Sequence, residues 1–176
     1  MVTVMKKTKK LAVSAILCAL GVTVMLVGMY TAVLDMSAVV FASLLIMMAV
    51  IELGGVYPYL IWLVTGTLSV ILMPSQLGGI LYFAFGGIYP IFKAMFERLH
   101  YVVSWILKLS FFNTSLTVCV LLTKYILKIE DPIGFDAIVY LLGNAAFVVY
   151  DLAATGMVTV YLVKLRRRLG LGNYFK

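Results

Sequence analysis

Residues 11–34 read LAVSAILCALGVTVMLVGMYTAVL, a run of about 24 residues without a charged side chain. A helix needs about 20 apolar residues to cross the hydrocarbon core of a bilayer. The run is also longer than the apolar region of about 7–15 residues in a cleavable signal peptide. It therefore predicts a retained transmembrane helix as the first element of the fold.

The composition of the whole chain agrees with this first run. Of its 176 residues, 64% are hydrophobic and 12% are charged, whereas soluble domains have about 45–50% and about 25%. So few charged groups cannot cover a water-exposed surface around so many apolar side chains. The composition excludes a soluble globular enzyme and a disordered chain, and it predicts an integral membrane protein.

Further apolar segments follow, and we predict an all-α bundle of six transmembrane helices. The expected helices cover residues 11–33, 37–53, 57–73, 77–96, 101–127 and 136–163. They form a membrane domain at 11–163 between basic cytoplasmic tails at 1–10 and 164–176. Two similar segments, GGVYP at 54–58 and GGIYP at 86–90, are expected to form helix ends or bends, because proline removes a backbone hydrogen bond.

The distribution of basic residues predicts the orientation of this bundle. With the N-terminus in the cytoplasm, the inner segments hold eleven basic residues and the outer turns hold two, Lys124 and Lys128. Because cytoplasmic segments of membrane proteins carry an excess of Lys and Arg, both termini are expected in the cytoplasm. The net charge of +7 therefore reflects membrane flanks. Aromatic and basic residues do not alternate as in a single-stranded nucleic-acid surface, so no nucleic-acid partner is expected.

Asp151 is the main polar feature inside the predicted spans. Ionisable side chains within a membrane span are costly and usually face protein or a cavity. Helical spacing places four side chains on one face of the sixth helix. They are Tyr140, Asn144, Asp151 and Thr155. This face is expected to be either a ligand or ion site, or a polar cluster that stabilises helix packing.

Lys108 and Asn113 are the corresponding polar groups on the fifth span. With a rise of about 1.5 Å per residue, Lys108 lies slightly to the cytoplasmic side of Asp151, within reach of a lysine side chain. We expect the two to form an intramembrane ion pair. The alternative is that Lys108 extends to the inner interface. Glu52 could in the same way meet Lys93 at the inner ends of two other helices.

Small residues mark one side of the first helix, at Ala12, Ala15 and Ala19. Such spacing allows another helix to approach closely. The chain has neither a nucleophile with a base, nor a phosphate-binding loop, nor the spacing of a metal site. We therefore expect no enzymatic activity, no cofactor and no metal, and any ATP hydrolysis must come from another chain.

The segment KKLAVSAILCAL at 9–20, together with the chain length and the six predicted spans, resembles the substrate-binding S components of energy-coupling factor (ECF) transporters. These are micronutrient importers of the prokaryotic plasma membrane. Members commonly begin with a basic tail and a first helix with an Ala-x-x-x-Ala motif, which Ala15 and Ala19 match. The resemblance implies that this face meets a transmembrane coupling subunit, which connects to two ATPases.

The resemblance also implies a small-molecule ligand, a vitamin or another micronutrient, in the outward half of the bundle. The candidate contacts are Asn113, Tyr140, Asn144 and Asp151. Two alternatives stay open. The chain could be a membrane scaffold of the rod-shape or division type, which needs only helix faces for partners. It could also translocate ions or protons through Asp151 and Lys108.

Overall fold

The chain forms a bundle of α-helices in the computed structural model of the protein, which describes residues 2–31, 34–72, 77–125 and 137–165. The α-helices are α1 (Val2–Thr31), α2 (Asp35–Glu52), α3 (Tyr57–Leu72), α4 (Leu77–Leu81), α5 (Tyr89–Phe96), α6 (Tyr101–Tyr125) and α7 (Ala137–Val160). Two π-helical turns continue α4 and α7, at Tyr82–Gly86 and Tyr161–Leu165. The predicted outer turn around Lys128 and the C-terminal arginines Arg166, Arg167 and Arg168 lie outside the described residues.

Among the described residues, five helical segments are long and apolar enough to cross a membrane. They are Lys7–Gly28, Asp35–Glu52, Leu77–Phe96, Tyr101–Leu122 and Ala137–Lys164. Helix α3 is also apolar but has only 16 residues, slightly below the range of about 17–25 residues for a full crossing. The chain is thus an all-α, multi-pass membrane protein, with five of the predicted spans at full length.

Helix α1 begins at Val2, before the predicted span at 11–33, so residues 2–10 of the predicted tail are helical. Lysine is a good helix former, so a lysine-rich segment can extend a transmembrane helix beyond the bilayer. The Nζ of Lys10 donates a hydrogen bond to the carbonyl oxygen of Leu53, 2.9 Å away. This bond ties the start of α1 to the carboxyl end of α2, where a cation is favoured.

The helices alternate in direction. One end of the bundle, here called the N-terminal end, contains the start of α1 and the turns at 53–56 and 97–100. In the first turn, Gly54 and Gly55 both have φ of +60°, a left-handed conformation that favours glycine. At the opposite end, the N–H of Gly78 donates to Asp35 Oδ2 at 3.1 Å. The glycines of the GGVYP segment at 54–58 therefore lie in a turn between antiparallel helices, and its Tyr57 and Pro58 begin α3.

The apolar core lies where α1, α2 and α3 pack together. Its buried members include Met25, Ala42, Ile46, Ala49 and Ile61. Helices α1 and α2 come close at Gly28, where an added Cβ would lie 2.1 Å from the Cβ of Ala38. Small residues at such a crossing permit close backbone contact, as is typical of membrane helices.

Replacing Gly28 by Ala is expected to destabilise the protein by about 1–3 kcal/mol, because the added methyl group forces α1 and α2 apart. Thermal unfolding of the purified protein in detergent measures the effect. Gly156→Ala is the matched control, since a Cβ at Gly156 has no atom within 4 Å. Equal melting temperatures for the two variants would contradict the close crossing.

The span Leu77–Phe96 is interrupted in its middle. The N–H of Gly87 donates to the carbonyl oxygen of Tyr82 at 2.8 Å, the five-residue spacing of a π-helical turn. Helix α5 then restarts with Pro90 in its first turn, where a missing N–H costs nothing. The GGIYP segment at 86–90 is therefore a break within a span, unlike the turn formed by its counterpart at 54–58.

Candidate functional site

Asp151 lies buried midway along the Ala137–Lys164 span and receives donors from two other helices. The hydroxyl of Tyr89 and the Nζ of Lys93, both on α5, donate to Asp151 Oδ1. The Nζ of Lys108, on α6, donates to Asp151 Oδ2 at 2.9 Å. The structure thus brings together Lys108 and Asp151, the two residues expected to pair.

Glu97 completes this arrangement at the end of α5. Its Oε1 lies 2.7 Å from the Nζ of Lys93 and 3.1 Å from the Nζ of Lys108. The Nζ of Lys93 also donates to Thr155 Oγ1 at 2.8 Å. We call these six residues the charge network: Tyr89, Lys93, Glu97, Lys108, Asp151 and Thr155. Its two positive and two negative side chains balance, as buried charges require.

Tyr89, Lys93 and Glu97 reach the charge network because they are spaced four residues apart. Residues at this spacing share one face of a helix, and this face of α5 points toward Asp151. The position of Lys93 along its span predicts that it lies at the inner boundary, near Glu52. In the structure Lys93 pairs with Asp151 and Glu97, while Glu52 accepts a hydrogen bond of 3.3 Å from the hydroxyl of Tyr161. The sequence indicates this arrangement only through the intervals of four residues between Tyr89, Lys93 and Glu97, which place the three side chains on one face of a helix.

Aromatic rings pack around Tyr89 on the side away from Glu97. The ring centroids of Phe85 and Phe147 lie 5.1 Å and 5.2 Å from that of Tyr89. On the other side, the Nζ of Lys108 lies 5.4 Å from the ring centroid of Trp105, within cation–π distance. Apolar surroundings strengthen hydrogen bonds and ion pairs and make unpaired polar groups costly. The charge network is therefore held by mutually dependent contacts.

A second polar group joins α6 and α7. The side-chain amides of Asn113 and Asn144 donate to each other's oxygen, both at 3.0 Å. Each side chain also donates its second amide proton to a backbone carbonyl oxygen. Asn113 donates to Leu109 at 2.8 Å, and Asn144 donates to Tyr140 at 2.7 Å. The hydroxyl of Tyr140 lies 2.9 Å from Thr117 Oγ1. We call Asn113, Thr117, Tyr140 and Asn144 the asparagine cluster.

The four residues predicted as ligand contacts thus fall into two groups. Asp151 belongs to the charge network, whereas Asn113, Tyr140 and Asn144 belong to the asparagine cluster. Within this cluster both amide protons of each asparagine have an acceptor inside the protein. A ligand that bound there would have to replace these hydrogen bonds with its own.

Replacing Asn144 by Leu is expected to lower the free energy of unfolding by about 1–2 kcal/mol, because it leaves the side-chain amide of Asn113 without its partner. The double variant Asn113→Leu/Asn144→Leu should lose less stability than the two single variants lose together, since no amide is then left unpaired. Unfolding in mixed detergent micelles measures all three. Thr114→Val, at an exposed position on α6, is the control. If the losses of the two single variants sum to the loss of the double variant within about 0.5 kcal/mol, the pairing is contradicted.

The small residues of the first helix face away from the bundle. Ala12, Ala15 and Ala19 are exposed, whereas Ser14 and Gly21 of the same helix are buried. Other residues of α1 therefore form the side that packs against the bundle. The Ala15 and Ala19 face is accessible to lipid or to another membrane helix.

Two cavities lie against α7. A groove of about 420 Å³ between α2 and α7 is mostly apolar and includes Met47 and Met157 in its walls. A smaller cavity of about 70 Å³ lies between α2, α5 and α7 and reaches Lys93 and Glu97. Neither of these two cavities is lined by Asn113 or Asn144.

Comparisons with known protein families, with curated proteins and with solved structures find no match to this chain. It is a helical, multi-pass membrane protein. Any more specific assignment depends on the arrangement of its own residues.

Proposed function

We propose that this chain is the substrate-binding membrane subunit of an ECF-type importer for a vitamin or other small micronutrient. Separate subunits, a transmembrane coupling protein and ATPases, supply the ATP hydrolysis. In this proposal both termini lie in the cytoplasm and the protein resides in the plasma membrane of a prokaryote. The N-terminal end of the bundle, with Lys7, Lys9, Lys10 and Arg98, is then the inner end.

The exposed small-residue face of α1 carries this proposal. Ala15 and Ala19 lie on the surface of the bundle while the opposite side of α1 packs against α2 and α3. In a membrane, apolar surface alone does not drive helices together, but small residues allow the close packing that does. A first helix that presents these residues outward is suited to contact a coupling subunit.

The asparagine cluster favours a second candidate, a membrane scaffold without a ligand pocket. Its amide groups bond to one another, as in a polar contact that fixes helix packing. Under the importer proposal, a ligand with amide or hydroxyl groups replaces the bonds between Asn113 and Asn144. The two candidates therefore differ in whether the cluster opens.

Ion or proton translocation through Asp151 has less support. Tyr89, Lys93 and Lys108 all donate to its carboxylate, so a transported ion would first have to displace these donors. The charge network is electrically neutral and its buried charges are paired, so a role in helix packing accounts for it without a conducting path.

Purification of the protein from its native membranes tests the importer proposal. We expect a coupling subunit to co-purify, and a micronutrient to be released on denaturation and identified by mass spectrometry. If neither is found across a broad panel of vitamins and related metabolites, the importer proposal is wrong. Recovery of cell-shape or division proteins instead would favour the scaffold.

A further inference from the structure

Glu97 differs from the other charged members of the charge network in its exposure. Its side chain is 43% exposed, whereas those of Lys93, Lys108 and Asp151 are 5%, 6% and 3% exposed. Glu97 also caps the end of α5. Its carboxylate is therefore held by its contacts with the two ammonium groups and can turn into solvent without unwinding a helix.

The buried part of the charge network needs an anion at this position. Without Glu97, two buried ammonium groups would face the single carboxylate of Asp151. An unpaired charge in apolar surroundings is costly. Glu97 satisfies both lysines with one oxygen, since its Oε1 lies 2.7 Å from Lys93 Nζ and 3.1 Å from Lys108 Nζ. Another anionic oxygen at the same place would accept hydrogen bonds from the same two ammonium groups.

The cavity of about 70 Å³ lies directly beside this contact. Lys93 and Glu97 form its polar part, and its other walls are apolar, among them Met47, Ile51 and Val158. One water molecule occupies about 30 Å³ of liquid. The cavity therefore has room for about two waters, or for a carboxylate group carrying one or two carbon atoms.

We infer that this cavity binds a short aliphatic carboxylate, one oxygen of which replaces Glu97 as the counter-ion of Lys93 and Lys108. The ammonium groups provide charge-assisted hydrogen bonds, and the apolar walls contact the alkyl group. Inorganic phosphate fits less well, because its additional oxygens would face apolar walls without a donor. The site includes neither the α1 face nor the asparagine cluster, so it stands independently of the proposed function.

Trp105 provides a local signal for the test, because its ring lies close to Lys108 Nζ and the chain has only two tryptophans. In a Trp62→Phe background, the emission of Trp105 and the melting temperature are followed while sodium acetate replaces sodium chloride at constant ionic strength. We expect a saturable change with acetate. In Glu97→Gln the half-saturating acetate concentration should fall by at least about tenfold, because the competing carboxylate of Glu97 is gone.

Two matched variants and one anion serve as controls. Arg98→Gln removes a neighbouring charge outside the charge network and should leave the half-saturating concentration unchanged. Lys93→Gln removes one ammonium group and should abolish the response, and sodium phosphate should give none. If Glu97→Gln cannot be purified, Glu97→Asp, whose shorter side chain withdraws the carboxylate, takes its place.

The result with the unsubstituted charge network decides the inference. Equal responses to acetate and chloride in that protein would overturn it, as would a response that persists in Lys93→Gln. If Trp62→Phe prevents purification, the melting temperature of the natural chain gives the same comparison.

Discussion

Asp151→Asn is expected to lower the free energy of unfolding by about 3–5 kcal/mol, the range for removing one partner of a buried ion pair. The amide leaves Lys93 and Lys108 with Glu97 as their only counter-ion, so the charge network carries an uncompensated positive charge. Lys93 and Lys108 are 4% and 5% exposed, so water screens this charge poorly. Reversible unfolding in mixed detergent micelles measures the loss.

The same experiment on a double variant separates the charge effect from a packing effect. Asp151→Asn/Lys108→Gln makes the network neutral again and should recover at least about 1 kcal/mol relative to the sum of the single variants. Asp35→Asn is the matched control. Its amide oxygen can still accept from Gly78, and we expect a loss below about 1 kcal/mol at this helix start. Strict additivity, or equal losses at Asp35 and Asp151, would show that no coupled network exists.

Under the importer proposal, Ala15→Leu/Ala19→Leu is expected to weaken assembly with the coupling subunit strongly while leaving the isolated protein folded. Each overpacked position in a helix contact costs about 1–3 kcal/mol, so the two together should weaken association by at least about 25-fold. Because both alanines are exposed, the melting temperature of the isolated subunit should hardly change. Titration with labelled coupling subunit in nanodiscs gives the affinity.

The matched control for this surface is Ala145→Leu/Ala146→Leu, which makes the same change at two exposed positions of α7. We expect this variant to bind the coupling subunit with unchanged affinity and the α1 variant to retain any bound micronutrient. Equal binding by both variants would mean that α1 is not the contact surface. Loss of the ligand together with the partner would point to a folding defect instead.

The helical spans could be predicted from the sequence because apolar runs of bilayer length have few other stable locations. The proximity of Lys108 and Asp151 follows in the same way, since helical rise fixes the depth of a residue once the direction of its helix is known. Residues 9–20 indicated the small-residue face, and the structure places Ala15 and Ala19 on the surface.

The partners of Lys93 could not be predicted by the same reasoning. Its depth along the span puts it near the inner boundary, but its long side chain and the rotation of α5 direct its ammonium group to Asp151. Asn113 and Asn144 illustrate a related limit. Helical spacing places Asn144 on an interior face, but whether its amide meets that of Asn113 depends on the mutual rotation of α6 and α7, which hydropathy does not encode.

The π-helical turn at Tyr82–Gly86 has a consequence for comparing this protein with homologues. Such a turn is equivalent to one residue inserted into an α-helix, and one residue corresponds to about 100° of rotation. Deleting a single residue here would barely alter the hydropathy of the span, yet it would swing Tyr89, Lys93 and Glu97 away from Asp151. An alignment that tolerates gaps between Leu77 and Tyr89 would therefore match homologues that keep the charge network with others that have lost it.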